Sequence, residues 1–203
     1  MLDYGFEKQF LSDNVRLVCG VDEAGRGPLA GPVFAAACIL PEGFVPEGLD
    51  DSKKLTEKKR EALYEKITES AVAYAIASAS VEEIEEMNIL NAALLAMRRA
   101  IEALAPAADF ALIDGNVCRD FPLPAKAIVG GDALVPSIAA ASILAKVARD
   151  RVCYELDREY PEYGFAKHKG YGTKLHKEAL IAHGPSPVHR PTFVSSFLYG
   201  KKK

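Results

Sequence analysis

Four acidic side chains in this 203-residue chain stand where a purely structural role is hard to find. Asp22 and Glu23 close the apolar alternation Val15, Leu17, Cys19, Val21, whose period of two predicts a β-strand with a core on at least one side. Asp114 ends the short run Asp109 to Ile113, and Asp132 follows Ala127-Ile128-Val129 after two glycines. Acids at the buried end of a strand are costly, because desolvating a carboxylate without a partner strongly favours its protonation. Hard divalent cations such as Mg²⁺ or Mn²⁺, which prefer oxygen ligands, would resolve the conflict. Two such ions about 3.5–4 Å apart suit in-line displacement at phosphorus, one activating water and the other stabilising the leaving oxygen. Asp22 and Glu23 face opposite sides of a regular pleat, so this reading expects the strand to break at Glu23, which Gly25 would permit.

Two further stretches carry recognition chemistry. Gly25 and Gly27 flank Arg26, a backbone that can approach a ligand closely beside one fixed positive charge. Tyr163 to Thr173 is aromatic and basic, and Tyr171 sits between Gly170 and Gly172, suited to stacking on a sugar or base near phosphate-binding lysines. Plainer roles compete with each of these. Arg26 could pair with Asp22 or Glu23, Tyr171 could be core, and Lys53 and Lys54 could be a solvated approach to a helix. His168, His176, His183 and His189 have no ligand spacing tied to the acids and are expected to be structural or to lie next to phosphates.

The totals restrict the class. The 25 Lys and Arg nearly balance 28 Asp and Glu, but residues 146–203 hold 12 against 6, leaving 13 against 22 in residues 1–145. An acidic body thus precedes a basic C-terminal third that also holds all four histidines, a distribution suited to a polyanion beside metal-binding carboxylates. Cys19, Cys38, Cys118 and Cys153 form no CxxC pair, so neither a zinc site nor a disulfide framework is expected. The N-terminal stretch MLDYGFEKQF lacks the basic and apolar regions of a signal peptide, and Gly27 to Pro41 is interrupted by prolines and too short to span a bilayer. The expectation is a soluble, cytoplasmic protein without membrane contact.

The elements that must position these residues alternate β and α. A turn at Gly27 to Pro32 leads to a strand over Val33 to Leu40, a loop reaches Asp51-Ser52-Lys53-Lys54, and Thr56 caps a helix to about Ser70. A third strand covers Ala71 to Ala79. Ser80-Val81-Glu82-Glu83 is a capping box opening a long helix to about Ala105, with Ile84, Met87, Leu94, Met97, Ile101 and Leu104 on one face. Short strands before Asp114 and Gly130 follow, then a helix from Leu134 to about Tyr160, a short helix capped by Thr173, and an extended tail marked by Pro185, Pro187 and Pro191. This gives an α/β fold with a mixed five-stranded sheet flanked by helices. Residues 1–160 read as a catalytic domain and 161–203 as a substrate-binding C-terminal segment of loops and helices.

The segments DEAGRG (Asp22 to Gly27), DSKKL (Asp51 to Leu55), DGN (Asp114 to Asn116), GGD (Gly130 to Asp132), AASILAKVARDR (Ala140 to Arg151) and HKGYGT (His168 to Thr173) resemble, in order and over nearly the whole chain, those of bacterial ribonuclease HII. The resemblance implies a ribonuclease H-like fold and a Mn²⁺- or Mg²⁺-dependent endoribonuclease. Such an enzyme cuts RNA paired to DNA and nicks duplex DNA on the 5′ side of an embedded ribonucleotide. It further implies Asp22, Glu23, Asp114 and Asp132 as the metal-binding catalytic set, and Gly25, Arg26 and Gly27 as readers of the ribose 2′-OH. Tyr171 would stack on the neighbouring sugar, and Ser52, Lys53 and Lys146 would bind phosphate. A monomer is expected. No clamp-binding peptide is evident in Ser195 to Lys203, where Phe197 and Tyr199 read as packed or frayed. The competing readings are a non-catalytic nucleic-acid-binding domain and a DNA-specific nuclease of the same superfamily.

Overall fold

A computed structural model describes residues 2–198, excluding the side chains of Ser196 and Phe197. The expectations for Phe197 and Tyr199 therefore lie outside the described residues. The central strand is β1 (Val18–Ala24), paired antiparallel with β2 (Val33–Ile39) on one side and parallel with β4 (Phe110–Asp114) on the other. With β3 (Ala73–Ala79) outside β2 and β5 (Ala125–Ile128) outside β4, the order is β3-β2-β1-β4-β5. This is the expected mixed five-stranded sheet.

Helices cover both faces. On one lies α3 (Val81–Glu102), whose Ile84, Leu94, Met97 and Ile101 pack on Cys19, Val21, Val33 and Ala35. On the other lie α2 (Glu57–Ser70) and α4 (Pro136–Glu159), packed on Ala36 and Cys38 through Leu63, Ile67, Ala140 and Leu144. Small residues in the sheet and α4 permit this close approach. At Gly20 a Cβ would lie 2.1 Å from backbone atoms of Ser137 and Ile138, so α4 crosses β1 where a side chain cannot fit. The short N-terminal α1 (Gly5–Lys8) supports the same helix, because buried Glu7 accepts a 2.7 Å hydrogen bond from the Ser137 amide in the first turn of α4.

The C-terminal part forms α5 (Phe165–His168), α6 (Lys174–His183) and α7 (Pro191–Leu198). Tyr163, Phe165, Leu180 and Val194 form a small core that also takes in Ala30 and, at the end of α4, Leu156. No helix among the described residues is long and apolar enough to cross a membrane.

Several elements depart from the sequence reading. β1 starts at Val18 and continues through Ala24, and its ladder to β2 pairs Asp22 with Ala36 and Glu23 with Ala35, so the pleat does not break at Glu23. α3 is interrupted at Asn88, where φ is 69° and the side-chain oxygen caps the amides of Leu90 and Asn91. The tail after Pro191 is helical rather than extended, because proline suits the first position of a helix as well as an extended chain.

Candidate active site

The parallel ladder between β1 and β4 ends at Val21 and Ile113, one residue before Asp22 and Asp114. Beyond that register the two strands are no longer paired, and the seam between them accommodates carboxylates. An intact pleat sends Asp22 toward α4 and Glu23 toward α3, and both still face Asp114. Glu23 and Asp114 line one cavity with Arg26, Leu90, Leu94 and Met97. On the other face, Asp22 accepts from the Ser142 hydroxyl of α4 and, at 2.7 Å, from the Glu23 amide.

Asp132 is presented by a tight turn after β5. Gly130 adopts a left-handed conformation (φ 67°), and the Gly131 amide donates at 2.7 Å to Asp114, drawing the Asp132 turn against the end of β4. A Cβ on Gly131 would lie 2.6 Å from the Ile138 side chain, which helps explain the glycine there.

These acids are held in mutual conflict. Burial lifts the Asp22 carboxyl well above the usual carboxylate range, and repulsion from Glu23 and Asp114 adds to it. Burial likewise raises Glu23, with Arg26 opposing and Asp114 adding, and raises Asp114, with Asp132 adding. Two tethered cations relieve part of the repulsion. Lys53 Nζ lies 3.3 Å from Asp132, and Arg26 Nη1 lies 3.4 Å from Glu23. Although burial works against the Lys53 charge, Asp132, Asp22 and Asp51 outweigh it and raise its pKa.

Among the described residues no three Asp, Glu, His or Cys side chains form a ready-made metal cage. The donor chemistry nevertheless fits a hard divalent ion: an all-oxygen set, raised pKa values, and a lysine ammonium standing where positive charge is needed.

The residues expected to recognise substrate lie on two adjoining loops. Gly25 has a φ of 104°, a value glycine tolerates, and its backbone packs directly on buried Arg149. The Tyr171 ring lies against Gly27, where a Cβ would be 3.6 Å from the ring, and it remains 43% exposed. The Leu29 amide donates to the Gly170 carbonyl at 2.8 Å, so the Gly25–Gly31 loop and the Tyr171 loop are joined through their backbones.

Two expected phosphate ligands are committed elsewhere. Ser52 is 3% exposed, and its hydroxyl lies 2.8 Å from that of Ser142. Because Ser142 donates to Asp22, Ser52 donates to Ser142, and its side chain supports a carboxylate rather than facing solvent. Lys146 is held at 2.7 Å by Asp150, which also pairs with Arg60, because the i, i+4 spacing on α4 places the two charges together. Lys53 remains largely exposed along its stem, with its charge at the acids.

The sequence reading did not find Arg190. This fully buried guanidinium donates to the carbonyls of Gly25, Arg26, Pro28 and Gly31 at 2.7–3.1 Å, fixing the loop that carries Arg26 from 159 or more residues away. Burial and the adjacent Arg149 pull its pKa down to about 9, which still leaves it charged at neutral pH. No local pattern around His189-Arg190-Pro191 announces such a contact. Ser142 was visible only as part of the segment Ala140 to Arg151.

With this geometry in place, comparison with known proteins is specific. A family model described as Ribonuclease HII matches residues 19–196. A Desulfitobacterium hafniense protein named Ribonuclease HII is 57% identical over 92% of this chain and 72% of its own length. A Burkholderia thailandensis protein of the same name is 59% identical over 87% of this chain and 83% of its own. The crystal structure of ribonuclease H2 from Pyrococcus horikoshii OT3 superposes with a TM-score of 0.73 at 27% identity, covering 91% of this chain and 97% of that one.

Proposed function

The chain belongs to the ribonuclease HII family, type II ribonuclease H hydrolases that cut the RNA strand of RNA–DNA hybrids, and from that premise we propose that it also nicks duplex DNA 5′ of a single embedded ribonucleotide, leaving 3′-OH and 5′-phosphate ends and so serving ribonucleotide removal from DNA. The observation that carries this reading is the Tyr171 ring seated on Gly27, beside a carboxylate set whose negative charge is only partly balanced.

Asp22, Glu23, Asp114 and Asp132 would hold Mn²⁺ or Mg²⁺. When bound, the metal supplies an activated water and a counter-charge for the leaving oxygen. The protein's own residues do the remaining work. Ser52 and Ser142 orient the Asp22 carboxylate. Gly25, Arg26 and Gly27 present backbone donors and acceptors to the 2′-OH, the group that distinguishes RNA from DNA, and no side chain intervenes at the two glycines. Tyr171 stacks on the sugar beyond the scissile phosphate and excludes water from that side. Lys53, on its exposed stem, reaches the phosphate.

The test is incubation with Mg²⁺ or Mn²⁺ and two duplexes, one all DNA and one carrying a single ribonucleotide. The expected result is a nick only in the second, on the 5′ side of the ribose. Equal cutting of both would reject ribose recognition. Tight binding without any cutting would instead indicate a binding module.

A further inference from the structure

Behind the Tyr171 loop lie three imidazoles with no part in the chemistry above. His168, His176 and His189 are 7%, 0% and 2% exposed. The His168 and His176 rings stack with centroids 4.3 Å apart and planes 11° from parallel. His176 Nε2 and His189 Nε2 are 3.0 Å apart, a contact that requires one nitrogen to donate and the other to accept.

Backbone partners at either end settle which. The Ser186 amide can only donate, and it points at His189 Nδ1 at 2.9 Å, with the Ser186 hydroxyl at 2.9 Å from the same nitrogen. His189 Nδ1 is therefore an acceptor, and a neutral His189 carries its proton on Nε2 and donates to His176. His176 Nε2 then accepts, so its proton is on Nδ1, 3.0 Å from the Tyr171 carbonyl, which can only accept. The same logic orders the third ring. The Gly170 amide donates to His168 Nδ1 at 3.2 Å, leaving His168 Nε2–H to donate to the Tyr163 carbonyl at 2.8 Å.

Every ring nitrogen thus has a partner, and the trio offers no free lone pair to a metal. Burial keeps His176 and His189 neutral, with pKa values pulled down to about 4. The relay ends on Tyr171, whose amide in turn donates to the His168 carbonyl at 2.9 Å. Both backbone groups of Tyr171 are therefore held by histidine residues, while its ring faces outward against Gly27.

We propose that His176 and His189 are positioning residues for Tyr171: an ordered relay from the Ser186 amide through His189 and His176 to the Tyr171 carbonyl fixes the ring over the Gly25–Gly27 loop and thereby supports selection of ribose. This rests on the reading of Tyr171 given above. The relay has one consistent proton order, so adding a proton to either ring or removing either nitrogen breaks it, and the Tyr171 loop loses a fixed point. Shape alone does not substitute, since phenylalanine at 176 would keep the stack and lose both hydrogen bonds.

Two measurements test it. Long-range ¹H–¹⁵N correlation on ¹⁵N-labelled enzyme at pH 7 should show His176 protonated at Nδ1 and His189 at Nε2, and the reverse pair of tautomers would overturn the relay. Cleavage of the single-ribonucleotide duplex should then be compared for His176→Phe and His176→Asn, each with and without Tyr171→Ala. His176→Phe should lower kcat/KM by ~10-fold or more. His176→Asn, which restores a donor toward the Tyr171 carbonyl, should recover most of that loss. Neither change should add to Tyr171→Ala. A fully active Tyr171→Ala would reject the role of Tyr171 and the inference with it. An impaired Tyr171→Ala beside a fully active His176→Phe, or losses that simply multiply, would overturn the inference alone. If His176→Phe fails to fold, the wild-type tautomers and His176→Asn decide.

Discussion

Replacing Arg190 with methionine tests whether one buried guanidinium holds the Gly25–Gly31 loop together. The wild-type side chain is 0% exposed and makes five hydrogen bonds of 2.7–3.1 Å to four carbonyls, those of Gly25, Arg26, Pro28 and Gly31. Methionine fills similar space but supplies no donor. Each buried carbonyl left without a donor costs ~1–3 kcal/mol, and the bonds to Gly25, Pro28 and Gly31 are all buried. Against this, the variant no longer desolvates a cation beside Arg149, a relief that offsets part of the loss. The net expectation is a loss of ~2–5 kcal/mol in urea unfolding at pH 7.5, large beside a typical total of ~5–15 kcal/mol but compatible with a folded protein. Arg190→Lys should fall between, because an ammonium has three donors and no planar fork. The same loop carries Arg26, so the preference for a ribonucleotide-containing duplex over DNA should fall with stability, even when assayed well below the melting temperature. A methionine variant within ~1 kcal/mol of wild type and with unchanged preference would refute the argument.

Other perturbations follow from the same geometry. Gly20→Ala puts a Cβ 2.1 Å from the α4 backbone, so urea unfolding should show a loss of ~3 kcal/mol or more. Divalent metal should stabilise the fold by relieving repulsion among Asp22, Glu23 and Asp114, read as a melting temperature that rises with Mn²⁺; at 100-fold excess over Kd the gain is ~2.7 kcal/mol. Asp22→Asn should fold, lose most of that response and lose nearly all turnover, and an unchanged rate would remove Asp22 from the site. His176 and His189 fall from 6.5 to about 4 on folding, so their contribution is fully present above pH 6.5 and is lost as pH falls toward 4. The slope is up to ~1.4 kcal/mol per pH unit for each ring, and melts of His189→Gln between pH 4.5 and 7.5 should be correspondingly flatter than wild type.

Much of this arrangement was legible because local pattern and global fold agree. The alternation around Val21, the capping box at Ser80 and the apolar face of α3 each admitted one reading, and the structure keeps all three. The recurrence of an acid at strand ends was also legible, since a buried carboxylate without a local partner asks for a non-local one. The expected break in the pleat failed for an instructive reason: convergence on Asp114 does not require Asp22 and Glu23 to share a face, because β4 ends beside β1 and leaves both faces open to it. The family resemblance implies Ser52 and Lys146 as phosphate ligands, but here one hydroxyl is buried against Ser142 and one ammonium is taken by Asp150. Sequence order could not reveal either partner, nor the reach of Arg190 to Gly25, which depends wholly on how the C-terminal segment folds back.

The acids and the proposed recognition groups are built on different kinds of support. Asp22, Glu23 and Asp114 stand on β1 and β4, strands clamped between α3 and α4, and a helix packed onto Gly20 leaves that frame little freedom to relax. Such rigidity keeps mutually repelling carboxylates close at the seam, because a softer frame would let them separate and weaken the cation site proposed there. Arg26 and Tyr171 stand on loops whose shape comes from buried side chains donating to main-chain carbonyls, Arg190 on one side and His176 on the other. Main-chain oxygens are present whatever the loop residues are, so a bulky donor from another segment can fix a glycine-rich loop that has almost no side chains of its own to pack. The glycines proposed to open the backbone to a 2′-OH deprive the Gly25–Gly31 loop of internal packing, and Arg190, from a remote segment, replaces it.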